Sequence, residues 1–136
     1  MTAPIFLFRN VKVTLTNNVS TPIYGLVPAT SYASLASGTL PSDISTVLLT
    51  VQCSNTTDIG ATQTGSVVNV STSIVNGSTT QTLVSNYPVI PNNAFDPLNG
   101  NLVMTAGDIL YVKSSSATGD IDVVVSLLEI ANATAS

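Results

Sequence analysis

The amino-acid sequence predicts an all-β protein: an antiparallel β-sandwich of about eight to nine short strands, with jelly-roll or immunoglobulin-like strand order. Two observations carry this reading. Polar and apolar residues alternate in short runs, as in Asn10-Val11-Lys12-Val13-Thr14-Leu15-Thr16, and such alternation marks a half-buried strand. Turn residues separate the runs at intervals of roughly ten residues, too close for the crossover helices that parallel strands need. Helical signals are nearly absent, with no apolar face sustained at helical spacing.

The elements follow in order. Residues 1–9 read as an apolar N-terminal arm, in which Ile5-Phe6-Leu7-Phe8 is apolar on both strand faces. The strand Asn10 to Thr16 ends at Asn17-Asn18. A short strand around Ile23 and Tyr24 ends at Val27-Pro28. Ala29 to Ser42 is rich in Ser, Ala, Gly and Pro. It is long for a hairpin connection, so it crosses between sheets or covers an end. Thr46 to Cys53 is a strand with Val47, Leu49, Val51 and Cys53 on one face, and Asn55 to Gly60 turns. Val67 to Ile74 is a strand with Val68, Val70 and Ile74 on a common side. Asn76-Gly77 signals a type I′ hairpin, because both residues tolerate positive φ, and the return strand runs Thr79 to Val84.

Tyr87 to Asn101 carries Pro88, Pro91 and Pro97 and reads as an irregular connection. Leu102 to Met104, Ile109 to Lys113 and Ile121 to Ile130 are the last strands, separated by turns at Ala106-Gly107-Asp108 and Ala117-Thr118-Gly119-Asp120. Residues 131–136 have nothing to hold them and form a flexible tail. One domain therefore covers residues 1–130.

The final strand is apolar on both faces. Ile121, Val123, Val125 and Leu127 lie on one side, and Val124, Leu128 and Ile130 on the other, with Asp122 and Ser126 between them. A strand of this kind is covered on both faces; in a small domain the expected second cover is a neighbouring subunit or larger assembly, and the plainer alternative is a loop of the same chain. Ile5, Phe6 and Phe8, with Val124, Leu128 and Ile130, are thus the candidate interface residues.

Composition narrows the function. Of the 136 residues 7% are charged, against roughly 25% in an ordinary soluble domain. Three basic side chains and a net charge of −4 do not suit nucleic acid or an anionic membrane surface. No apolar run approaches the ~20 residues of a membrane-spanning helix. Ile5 to Phe8 is too short for a signal-peptide core and no basic residue precedes it, so the expectation is a chain made in a cytoplasm. Uncharged surfaces are easily buried, since few ion pairs must be desolvated.

Catalytic constellations are not apparent. The chain has no histidine, so neither a serine nor Cys53 has its usual activating base. A Ser–Lys arrangement on Lys12 or Lys113 has no local signature. Asp120 and Asp122, two apart on one strand face, with Asp108 near another turn, would make a weak calcium site at most, since calcium needs six to eight oxygen ligands; Asp108 and Asp120 read as turn residues after glycine. Cys53 reads as a small buried hydrophobe. Five Asn-X-Ser/Thr triplets begin at Asn18, Asn55, Asn69, Asn76 and Asn132, which chance nearly explains in so Ser/Thr-rich a chain. Tyr32 and Tyr87, in the two irregular connections, are the plausible aromatic platforms for a glycan; packing over the sandwich end is the plainer reading. The expectation is a protein that is not an enzyme and needs no cofactor or metal.

Several segments together resemble a known group. They are Thr21-Pro22-Ile23-Tyr24 with Val27-Pro28; Val47-Leu48-Leu49-Thr50-Val51 running into Ser54-Asn55-Thr56-Thr57; Val89-Ile90-Pro91; and Gly100-Asn101-Leu102, Ala106-Gly107-Asp108-Ile109-Leu110-Tyr111-Val112-Lys113 and Asp122-Val123-Val124-Val125-Ser126-Leu127-Leu128-Glu129-Ile130. The chain resembles the small all-β virion proteins of tailed bacteriophages, including cyanophages. The Val-Pro turn opens here into a longer loop than that pattern has. The resemblance implies a structural part of the virion, made in the host cytoplasm. Its first expected role is a capsid cement or decoration protein bound to the major capsid protein and to its own copies, as a trimer. A neck or tail subunit, or a glycan-binding module on the particle surface, is the alternative.

Overall fold

The computed structural model describes residues 5–26, 44–56, 67–98, 100–105 and 107–131. The described residues form nine strands: β1 (Ile5–Thr14), β2 (Thr21–Gly25), β3 (Ile44–Asn55), β4 (Val68–Asn76), β5 (Thr79–Val89), β6 (Ala94–Phe95), β7 (Leu102–Met104), β8 (Asp108–Ser114) and β9 (Ile121–Ala131). They make a β-sandwich of two antiparallel sheets. The five-stranded sheet has the order β1-β9-β3-β6, with β7 also pairing along β3; the four-stranded sheet has the order β2-β8-β4-β5. The expectations for Val27-Pro28, the loop Ala29 to Ser42 with Tyr32, the turn at 57–60, and the tail at 132–136 lie outside the described residues.

Alternation explains why these segments are strands. In β9, Ile121, Val123, Val125 and Leu127 are fully buried, and Leu110 and Val112 of β8 and Val68 and Val70 of β4 meet them from the facing sheet in one core. Burying each such side chain stabilises by about 1.5–3 kcal/mol. β-Branched residues dominate, as expected on a pleated and half-buried surface. Among the described residues, only the β4–β5 connection is a hairpin within one sheet. β1 pairs instead with β9 at the far end of the chain, from Ile5↔Ala131 to Thr14↔Asp122. Residues 5–9, read from the sequence as an arm, are therefore the first half of β1.

Three local expectations are corrected. In β3, a bulge lies between Leu48 and Thr50 where the strand runs along β9. The extra residue, Leu49, reverses the parity. Thr46 and Leu48 are buried before it and Val51, Cys53 and Asn55 after it, while Val47 turns to the outer face. At the hairpin, Asn76 pairs with Thr79, so the two loop residues are Gly77 and Ser78. Positive φ occurs at Gly77 alone of these four, the pattern of a II′ turn rather than I′. The segment after Val84 is not irregular throughout: β5 continues to Val89, and Ala94–Phe95 adds β6. Pro88 is tolerated because β5 is a sheet edge, where a missing N–H costs no ladder bond.

Candidate interaction surface

The outer face of the five-stranded sheet brings together the residues singled out on β1 and β9. Phe6 lies opposite Ile130, Phe8 opposite Leu128, and Lys12 opposite Val124. On the other side of β9, Val47 of β3 lies opposite Leu128 and Ser45 opposite Ile130; Val103 of β7 then lies opposite Val47. Phe8, Leu128, Val47 and Val103 thus form one registered row across four strands, with Phe6 and Ile130 in the row beside it. Phe6 is 60% exposed, Phe8 71% and Val103 59%; Leu128, Ile130, Val124 and Val47 are half-buried against their neighbours. Ile5 pairs with Ala131 at the end of β1, but its side chain lies outside the described residues. Val124 sits apart from the row, between Lys12 and Gln52. The rest of the face is polar: Asn10, Ser126 and Thr50 in one row, and Thr14, Asp122 and Ser54 in another.

Val47 and Val103 were not legible as part of this surface. Regular alternation puts Val47 with Val51, and only the bulge moves it outward. Val103 lies on a three-residue strand whose placement beside β3 is a long-range property of the fold.

Beneath the patch lies a buried polar group that alternation does predict, since Glu129 continues the inner series of β9. Its carboxylate Oε2 accepts from the Tyr24 hydroxyl at 2.5 Å and from Arg9 Nη1 at 3.0 Å. The Tyr24 hydroxyl also lies 2.9 Å from Thr46 Oγ1. Tyr24 stands on β2, so this network ties the two sheets together through their core. The Arg9 guanidinium also lies over the Tyr24 ring, 5.9 Å from its centroid. Burial, reinforced by the neighbouring Glu129, holds the phenol well above its ordinary range.

The remaining candidates have structural partners. Asp120 adopts φ 58° and accepts from Ser116 Oγ at 2.5 Å and Thr118 Oγ1 at 2.7 Å; these hydrogen bonds hold its carboxyl below the usual range. Asp108 accepts from Asn76 Nδ2 and Thr105 N, both at 2.9 Å, and Asp122 from Thr14 Oγ1 at 2.8 Å. Among the described residues, no three His, Cys, Asp or Glu side chains are grouped to hold a metal ion. Lys113 lies opposite Ser71, and Lys12 opposite Val124. The Tyr87 ring stacks on Phe95, with centroids 4.2 Å apart and planes inclined by 15°. One ring face is thereby covered, and the pair links β5 to β6 across the open side of the sandwich. Tyr87 is still 47% exposed.

Cys53 is fully buried opposite Phe95. Burial, with a smaller push from Asp96, raises its thiol to about 12. At pH 8 almost no thiolate forms, and the sulfur has no path to solvent. Alkylation by iodoacetamide is therefore expected only on unfolding: negligible in native buffer over hours, complete within minutes in concentrated urea, as read by intact mass. Rapid labelling of the native protein would contradict the burial of β3.

No family model matches the chain, and no curated protein is significantly similar to it.

Proposed function

We propose that this protein is a non-enzymatic structural component of a tailed-bacteriophage virion, a capsid cement or decoration protein. It acts by burying the outer apolar rows of the five-stranded sheet against the major capsid protein, with copies grouped as a trimer. The observation that carries this reading is the registered row Phe8–Leu128–Val47–Val103, flanked by Phe6 and Ile130. Exposed aromatic and aliphatic side chains in one contiguous patch mark a surface that another protein covers. The low charge of the chain supports the same reading, because such a face is buried without stripping water from ion pairs. Each contact is modest, and repetition over a shell multiplies it. The resemblance to small all-β virion proteins supplies the kind of particle.

The test pairs particles with variants. Quantitative mass spectrometry of virions that encode this chain should find it in hundreds of copies. Phe8→Ser combined with Val103→Ser should lower particle occupancy at least tenfold while leaving the melting temperature within a few degrees, since both side chains are mostly solvent-exposed already. A dozen copies or fewer would move the protein to the neck or tail. Absence from particles, or full occupancy by the double variant, would overturn the proposal.

A further inference from the structure

The outer face of the other sheet is built differently. Strand β8 places Lys113 opposite Ser71 of β4, and Ser115 follows beside Asn69. Asn18, from the β1–β2 turn, and Asn86 of β5 close the sides of a polar cleft over these residues. Two backbone irregularities converge on it. Strand β4 shifts register against β5 at Val70, Thr72 and Ser73, and Asn86 holds φ 54°, rare for a residue with a side chain. Bulges re-aim side chains and are enriched beside binding sites. Two serines fix the walls: Ser71 Oγ accepts from Asn86 N and Ser115 Oγ from Asn69 N, each at 2.9 Å. Both hydroxyls keep their own protons to donate. Among the described residues, no side-chain hydrogen bond or ion pair engages the Asn18, Asn69 or Asn86 amide or the Lys113 ammonium.

From this arrangement we infer that the cleft is a binding site for a single uronic-acid sugar ring, independent of the apolar face assigned to assembly. The chemistry selects that class. Each asparagine amide both donates and accepts, which matches sugar hydroxyls, themselves donors and acceptors. Sulfate only accepts, so it would leave the amide carbonyls of the cleft without a donor. An amine has no carboxylate to meet in the cleft and would face Lys113. The lone ammonium matches one carboxylate. The space is small, about 190 Å³, below the roughly 300–1,000 Å³ of pockets for drug-sized ligands, so it takes one ring rather than a chain.

Nuclear magnetic resonance on the full chain tests this. Methyl β-D-glucuronide should shift the amide signals of Asn18, Asn69 and Asn86 saturably in the millimolar range. The neutral methyl β-D-glucoside should bind about tenfold more weakly, the loss of one charge-assisted contact. In Lys113→Gln the two sugars should bind alike, and Asn18→Ala should weaken both; these side chains are exposed, so both variants keep the fold and the spectra report it. The inference is overturned if neither sugar gives saturable shifts, if sulfate moves the same signals at the same concentration, or if Lys113→Gln leaves glucuronide affinity unchanged. None of these outcomes depends on whether the apolar face binds a capsid.

Discussion

Replacing Gly119 by alanine is expected to cost about 4 kcal/mol or more, among the largest single-residue losses and a large part of the roughly 5–15 kcal/mol that holds a domain of this size. Gly119 has φ 85°, and an added Cβ would lie 2.0 Å from the Leu15 carbonyl oxygen and 2.7 Å from Thr16 N. Both are backbone atoms, so no rotamer change relieves the clash. The turn is also pinned: Gly119 N donates to the Ser116 carbonyl at 3.0 Å, and Leu15 N donates to the Ile121 carbonyl at 2.9 Å. The Gly119 carbonyl in turn accepts from Ser114 Oγ. Moving the turn away therefore breaks the docking of the β8–β9 connection on the end of β1. Gly77 supplies the control. Its φ is 59° and nothing lies within 4 Å of an added Cβ, so alanine there carries only the conformational term of about 1–3 kcal/mol. Urea denaturation of both variants checks the contrast. Equal losses would mean that the close approach of Gly119 to Leu15 contributes nothing.

The same turn shows how far sequence reading reaches. Gly-Asp after a polar run announces a turn, and Asp120 at positive φ fits it, but the need for glycine comes from Leu15, a residue more than a hundred positions away. The strands were legible wherever alternation was unbroken. In β9 the two series separate core from surface without error and, carried one step further, place Glu129 inside. In β3 the alternation misleads, because Leu49 is an extra residue that nothing in the local composition marks. The candidate surface divides in the same way. The outward sets on β1 and β9 are readable from each strand alone, and antiparallel pairing then joins them. Val47 and Val103 needed the bulge and the strand order. The polar cleft was opaque for another reason: asparagine, serine and lysine are unremarkable on any strand, and only the convergence of β4, β5, β8 and the first turn gives them a common centre.

The Glu129 network yields the second large effect. Glu129→Ala should destabilise by about 3 kcal/mol, because it leaves the buried Tyr24 hydroxyl with only Thr46 and removes the carboxylate from Arg9. Arg9 is 29% exposed at its side chain, so part of its loss is recovered from water. Tyr24→Phe alone should cost about 1.5 kcal/mol, the value of a hydrogen bond to a charged acceptor. The informative variant combines Tyr24→Phe with Glu129→Leu. A buried carboxylate is costly to desolvate, and replacing it together with its donor by apolar groups of similar size removes that cost as well as the bonds. The double variant should therefore lose less than the sum of Tyr24→Phe and Glu129→Leu, each made singly, by about 1 kcal/mol or more on a urea-denaturation cycle. Strict additivity would mean that Tyr24 and Glu129 stabilise the sandwich separately, and that the hydrogen bond through its core is not what ties the two sheets together. If the coupling is present, it also accounts for a carboxylate on the inner face of β9. The network pins β2 of one sheet over β9 of the other, while the pairing of β9 with β1 and β3 brings Phe8, Leu128 and Val47 into line on the outside.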